Sequence, residues 1–124
     1  MAHTLNFELT QLSPSLIRCE ILRDLLFTEA IAREIYDDCN ALINGKYCIL
    51  WAMKKNLTPD KGVMSFFASK ERSKRVNAEA FCMDSHALKL TANFYFRIKK
   101  PVVRGKAFEN EADALHWLSP SVGL

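Results

Sequence analysis

The sequence predicts a single α/β domain over residues 1–124, with a mixed sheet of four to five strands flanked by about four helices. Three patterns carry that reading. Short segments of strand chemistry alternate with longer segments of helical periodicity, as βαβ construction requires. The run Tyr47–Met53 is apolar throughout, as suits a central strand covered on both faces. An alternating pair of segments at the start reads as a hairpin, so the sheet is mixed rather than wholly parallel.

The expected order is β-β-α-β-α-β-α-β-α. In "HTLNFELTQL" Leu5, Phe7 and Leu9 alternate with polar neighbours, and a Ser-Pro-Ser turn leads to "LIRCEIL". That second strand puts Leu16, Arg18, Glu20 and Leu22 on one face and Ile17, Cys19 and Ile21 on the other. Thr28 can cap the first helix, Glu29 suits the positive end of its dipole, and Ile31, Ile35, Cys39 and Leu42 line one side. Asn44-Gly45 supplies a left-handed stop.

After the central strand, Thr58 is the expected cap of a second helix, with Pro59 at its first position and Asp60 in its first turn. That helix buries Val63, Met64 and Phe67, and "SKERSKR" (residues 69–75) continues it as a solvated basic end. Val76–Met83 reads as a strand and Asp84-Ser85 as the cap of a third helix. There, His86, Lys89, Asn93 and Arg97 fall near one line, leaving apolar residues around the rest of the cylinder and implying a second packing partner. "PVVRGKAF" reads as a last strand entered at Pro101, with Gly105 permitting a close approach. Asn110 and Asp113 start a final helix that turns Ala114, Leu115, Trp117 and Leu118 inward and leaves His116 on its exposed flank.

A chain of 124 residues needs neither disulfide nor metal to fold. Cys19, Cys39, Cys48 and Cys82 sit singly in apolar patterns without a C-x-x-C pair, which reads as buried free thiols. The N-terminus lacks a basic region followed by an apolar run, and no stretch approaches the ~20 apolar residues of a membrane span, so a cytoplasmic location is expected. Net charge is unevenly spread: residues 1–53 carry 4 Lys/Arg against 7 Asp/Glu, residues 54–106 carry 13 against 4, and residues 107–124 carry none against 3. A middle of +9 between two segments of −3 can mark an anion-binding surface or pair with an acidic face of another subunit.

Two stretches, "ALKLTANFYFRIKKP" (Ala87–Pro101) and "AFENEADALHWL" (Ala107–Leu118), are similar to the STAS/SEC14-type small bacterial proteins. These are also called SpoIIAA-like, after the anti-sigma-factor antagonists whose fold they share. The element order over the whole chain agrees with that fold, whereas the first half matches in pattern only. The resemblance implies a protein-interaction or small-ligand module. In signalling members a phosphorylated serine opens the second helix, in Asp-Ser-Ser-Gly. Here the stretch is "LTPDKG" (Leu57–Gly62), which places Asp60 roughly where that serine falls and leaves Thr58 as the nearby hydroxyl.

Ligands of open α/β sheets favour the loops beyond the carboxyl ends of the strands. Two such loops offer candidate ligand or partner contacts: Lys54, Lys55, Thr58 and Asp60 after the central strand, and Asp84, Ser85 and His86 after the next. Asp84, Ser85 and His86 are triad residue types, but sequence neighbours at a helix start seldom face one another as nucleophilic catalysis requires. With no nucleophile elbow, phosphate loop or H-E-x-x-H, no enzyme activity, cofactor or metal is expected.

Nucleic-acid binding is disfavoured, because Phe66, Phe67, Phe94 and Phe96 follow helical patterns rather than forming a stacking platform. The resulting expectation is a non-enzymatic protein-interaction or regulatory module, with an unidentified protein partner. It is expected to self-associate as a dimer or higher homo-oligomer through Leu88, Ala92, Tyr95 and Phe96. The alternative is a carrier of a small apolar or anionic ligand, which a closed pocket of several hundred cubic ångströms favours.

Overall fold

The computed structural model describes residues 6–99 and 102–122, except for the side chains of Tyr95 and Lys99. Leu5, His3 and Pro101 therefore lie outside the described residues, as does the side chain of Tyr95.

Strands β1 (Phe7–Ser13), β2 (Leu16–Ile21), β4 (Tyr47–Met53), β6 (Val76–Met83) and β7 (Arg104–Phe108) form one sheet in the order β1-β2-β4-β6-β7. β1 runs antiparallel to β2 and the remaining pairs are parallel, so the hairpin supplies the antiparallel edge. Two three-residue strands, β3 (Leu25–Phe27) and β5 (Leu57–Pro59), pair in parallel as a separate ribbon. The helices are α1 (Glu29–Leu42), α2 (Lys61–Phe67), the single turn α3 (Lys70–Ser73), α4 (His86–Lys99) and α5 (Glu111–Leu118), with a 3-10 turn at Ser119–Val122.

Strand alternation separates two cores. Ile17, Cys19, Ile49, Trp51 and Phe81 face α1, α2 and α4, while Leu16, Cys48, Leu50, Ala78, Ala80 and Cys82 face α5. β4 contributes to both, which explains its unbroken apolar run. Full burial of side chains such as Trp51, Ile49 and Leu50 stabilises the fold by about 1.5–3 kcal/mol each. On the second face, Ala114 and Leu118 are fully buried and Leu115 and Trp117 pack beside them half-buried. Arg18 fastens this layer through two bonds to Glu111, Nε to Oε1 at 2.8 Å and Nη2 to Oε2 at 3.0 Å. The Arg18 hydrogen bonds hold the Glu111 carboxyl below its usual range despite some burial.

Several helix ends follow from local chemistry. The Thr28 hydroxyl accepts from Ile31 N–H, and the Asn110 side chain accepts from Asp113 N–H while donating to the Asp113 carboxylate. Gly45 takes φ +96°, the left-handed conformation expected after α1. A Cβ at Gly105 would stand 3.3 Å from Phe81 and 3.4 Å from Phe96, so this glycine lets both rings lie against β7.

Two expectations are corrected. Thr58 does not cap α2: Leu57–Pro59 is instead held in β5 against β3, and Asp60 takes the cap, accepting from Val63 N–H at 2.8 Å. Asp60 N–H donates to Phe27 C=O, which fixes the exit of the ribbon. The basic stretch 69–75 is not a solvated extension. It contains α3, whose Arg72 is 1% exposed and meets the buried Glu79 of β6 with both terminal nitrogens at 2.7 Å. Arg75 also turns back, donating to the carbonyls of Gly45 and Ile43.

Candidate functional site: an apolar cleft between α2 and α4

The site begins with an aromatic chain on the sheet. Trp51 and Phe81 are register partners on β4 and β6 and lie parallel, with centroids 6.0 Å apart. Phe67 from α2 leans on both, at 5.5 and 6.1 Å, and Phe27 closes against Trp51 and Phe67. On the other side Phe96 from α4 stacks on Phe81 at 5.4 Å. Such ring pairs contribute about 0.5–1.5 kcal/mol each beyond their buried area, so this is a stiff floor.

Above that floor the helices part, because α2 packs on α1 and α4 packs on β7. The Asn93 side chain holds α4 there as if it were another strand: its Oδ1 accepts from Ala107 N–H at 2.8 Å and its Nδ2 donates to Ala107 C=O at 3.1 Å. Lys89, one turn earlier, reaches Glu109 at 2.9 Å, and His86 Nδ1 lies 3.2 Å from the same carboxylate oxygen. Lys89, and then His86, hold the Glu109 carboxyl below its ordinary range. The polar line read along this helix thus partly faces β7, while apolar Leu90, Phe94 and Ile98 face outward.

The space between the helices is an open apolar cleft of about 380 Å³. Met53 and Met83, the last residues of β4 and β6, stand side by side at its entrance, with Leu57 and Met64 on one wall and Leu88 and Ala92 on the other. It lies at the carboxyl ends of parallel strands, where open α/β sheets bind ligands. Its inner end reaches Glu79, whose carboxylate is occupied by Arg72 and by Trp51 Nε1–H at 2.9 Å.

The predicted contact residues divide around this cleft. Lys55 lines it, whereas Lys54 lies toward the other face, where its charge acts on Glu111 and Cys82. Thr58 is exposed on β5, Asp60 caps α2, and Asp84 is exposed. The Ser85 hydroxyl accepts from Leu88 N–H, and His86 is turned to Glu109, so no Ser–His hydrogen bond forms. Of the residues assigned to self-association, Leu88 is 59% exposed at the cleft rim, whereas Ala92 and Phe96 pack on the monomer core.

No pattern along the chain assembles the cleft. One available signal was the methionines ending two neighbouring strands, since Met suits adaptable apolar surfaces. The four cysteines are buried, and burial pushes the Cys39 thiol to about 12 and Cys82 to about 11, keeping both protonated near neutrality. Among the described residues, no three His, Cys, Asp or Glu side chains could hold a metal ion, and no helix is long and apolar enough to cross a membrane.

A mixed sheet with α1, α2 and α4 on one face and α5 on the other defines a SpoIIAA-like α/β protein. An uncharacterised protein of the DUF3478 family from Shewanella loihica PV-4, which has that fold, is similar with a TM-score of 0.63. The similarity covers 95% of this chain and 98% of that one at 12% identity. The chain itself belongs to DUF7793, a domain of unknown function, whose profile matches residues 11–122. No curated protein matches it.

Proposed function

We propose that this chain is a non-enzymatic module that binds a small apolar molecule in the cleft between α2 and α4. The observation carrying this reading is the cleft itself: about 380 Å³, floored by aromatic rings and entered between two methionines at strand ends. Its volume falls in the range usual for small-molecule sites. This reading is the nearer to the ligand carrier, with an open cleft in place of the closed pocket expected of one. A regulatory role would follow if the ligand changes how the outer surface of α4 meets a partner. Titration with an environment-sensitive apolar fluorophore tests the reading: saturable one-to-one binding is expected, and no saturable signal would overturn it.

Self-association is a second reading, favoured by the outer face of α4. Leu90, Phe94 and Ile98, at successive four-residue steps, are 54–63% exposed. Exposed Arg97, whose guanidinium lies over the Phe94 ring, and exposed Glu34 and Asp37 on α1 offer opposite charges to a second copy of the chain. Sedimentation at tens of micromolar should show a dimer or larger species, and Phe94→Asp should convert it to a folded monomer. A monomeric parent protein would end this reading.

A further inference from the structure

We infer that the ligand is a monocarboxylic acid with a medium-length apolar tail, its carboxylate paired with Lys55 at the cleft mouth and its tail lying over Phe81 and Phe96. This rests on the cleft reading above and goes further by assigning the ligand's charge and orientation.

Few polar groups face the cleft. Among the described lining residues, Lys55, Glu79 and Thr91 alone carry polar side chains. Glu79 accepts two bonds from Arg72 and one from Trp51, so its charge is neutralised and its oxygens are occupied. The Thr91 hydroxyl donates to Ala87 C=O within α4. Lys55 is the one charged lining residue with no hydrogen bond or ion pair among the described residues.

Its neighbour Lys54 is not among the lining residues and its charge acts on Glu111 of the other layer, so Lys55 is the one cation among the described lining residues. An apolar channel with one uncommitted ammonium at its open end complements an amphiphile with one negative charge. The reverse orientation would bring that charge to the inner end, beside the Glu79 carboxylate. An ammonium as a point charge accepts a carboxylate without bidentate geometry, which suits a ligand held chiefly by its tail. Its exposure keeps the contact sensitive to salt.

Calorimetric titration of octanoate, octanol and octylamine into the full chain separates this inference from the reading beneath it. Octanoate should bind about tenfold more tightly than octanol, as a charge-assisted contact adds to the same tail burial. Lys55→Met should bring the ratio of octanoate to octanol affinity within about twofold, and Lys55→Glu should favour octylamine. Lys55 is exposed, so the thermal midpoints of these variants should match the parent, which separates lost charge recognition from lost folding. Equal affinity for acid and alcohol, or an acid preference that survives Lys55→Met, overturns the carboxylate assignment and leaves the apolar cleft standing. Failure of all three compounds to bind overturns both.

Discussion

Replacing Arg72 by Ala is expected to destabilise the fold by about 3–5 kcal/mol, because it leaves the Glu79 carboxylate buried beside Trp51 without its countercharge. Arg72 also lies over the Phe67 ring, 4.3 Å from its centroid, so the substitution removes packing from the floor of the cleft. The pair as a whole is a different matter. Its attraction is offset by the cost of removing two charges from water, so Arg72→Met combined with Glu79→Leu should return to within about 2 kcal/mol of the parent. Urea unfolding of the two single variants and the double variant measures this. A single-variant loss below about 1 kcal/mol would mean that the pair is solvated and does not organise the site.

Filling the cleft should abolish binding while leaving the fold intact. Ala92 lines the cleft from α4 at its contact with the core, and a Trp there would occupy the volume over Phe81 and Phe96. Affinity for an apolar fluorophore should fall at least tenfold, about 1.4 kcal/mol. The same change at exposed Ala87, on the same helix and outside the lining, should leave affinity unchanged. If both variants bind as the parent does, the fluorophore sits elsewhere. If Ala92→Trp also lowers the thermal midpoint sharply, Ala92→Phe gives a smaller filling with less overpacking and should still cost affinity.

The parts of the fold legible in the sequence are those governed by local rules. Tyr47–Met53 reads as a central strand because both faces of β4 are covered, and Thr28, Gly45 and Asn110 mark helix ends by short-range chemistry. The second helix begins two residues later than Thr58 suggests. A tertiary pairing, β5 with β3, overrides a local cap signal, and Asp60 serves equally well as the cap. Arg72 is the sharpest departure. Nothing within "SKERSKR" separates it from the neighbouring cations, since what buries it is Glu79, seven residues away on another element. Glu79 inside an apolar strand pattern was the available clue, because a buried carboxylate needs a partner.

The candidate site was legible only in part. The place of Lys55 after the central strand marks it as a candidate contact, and it lines the cleft. Lys54 has the same place in the sequence, yet it is outside the lining and its charge acts on Glu111. The cleft depends on how far α2 and α4 stand apart, and Asn93 fixes α4 by bonding the backbone of β7. No spacing along the chain encodes that contact, and the line His86, Lys89, Asn93 and Arg97 looks the same whether it meets water or a sheet edge.

Methionine-methyl NMR tests the central claim most directly. The chain has four methionines, and three of them, Met53, Met64 and Met83, line the cleft. With methyl-labelled methionine, adding octanoate or an apolar fluorophore should shift these three resonances together and saturably, with one common affinity, and the Ala92→Trp variant should lose the response. Saturable binding that leaves all three resonances in place would put the ligand elsewhere and contradict the account.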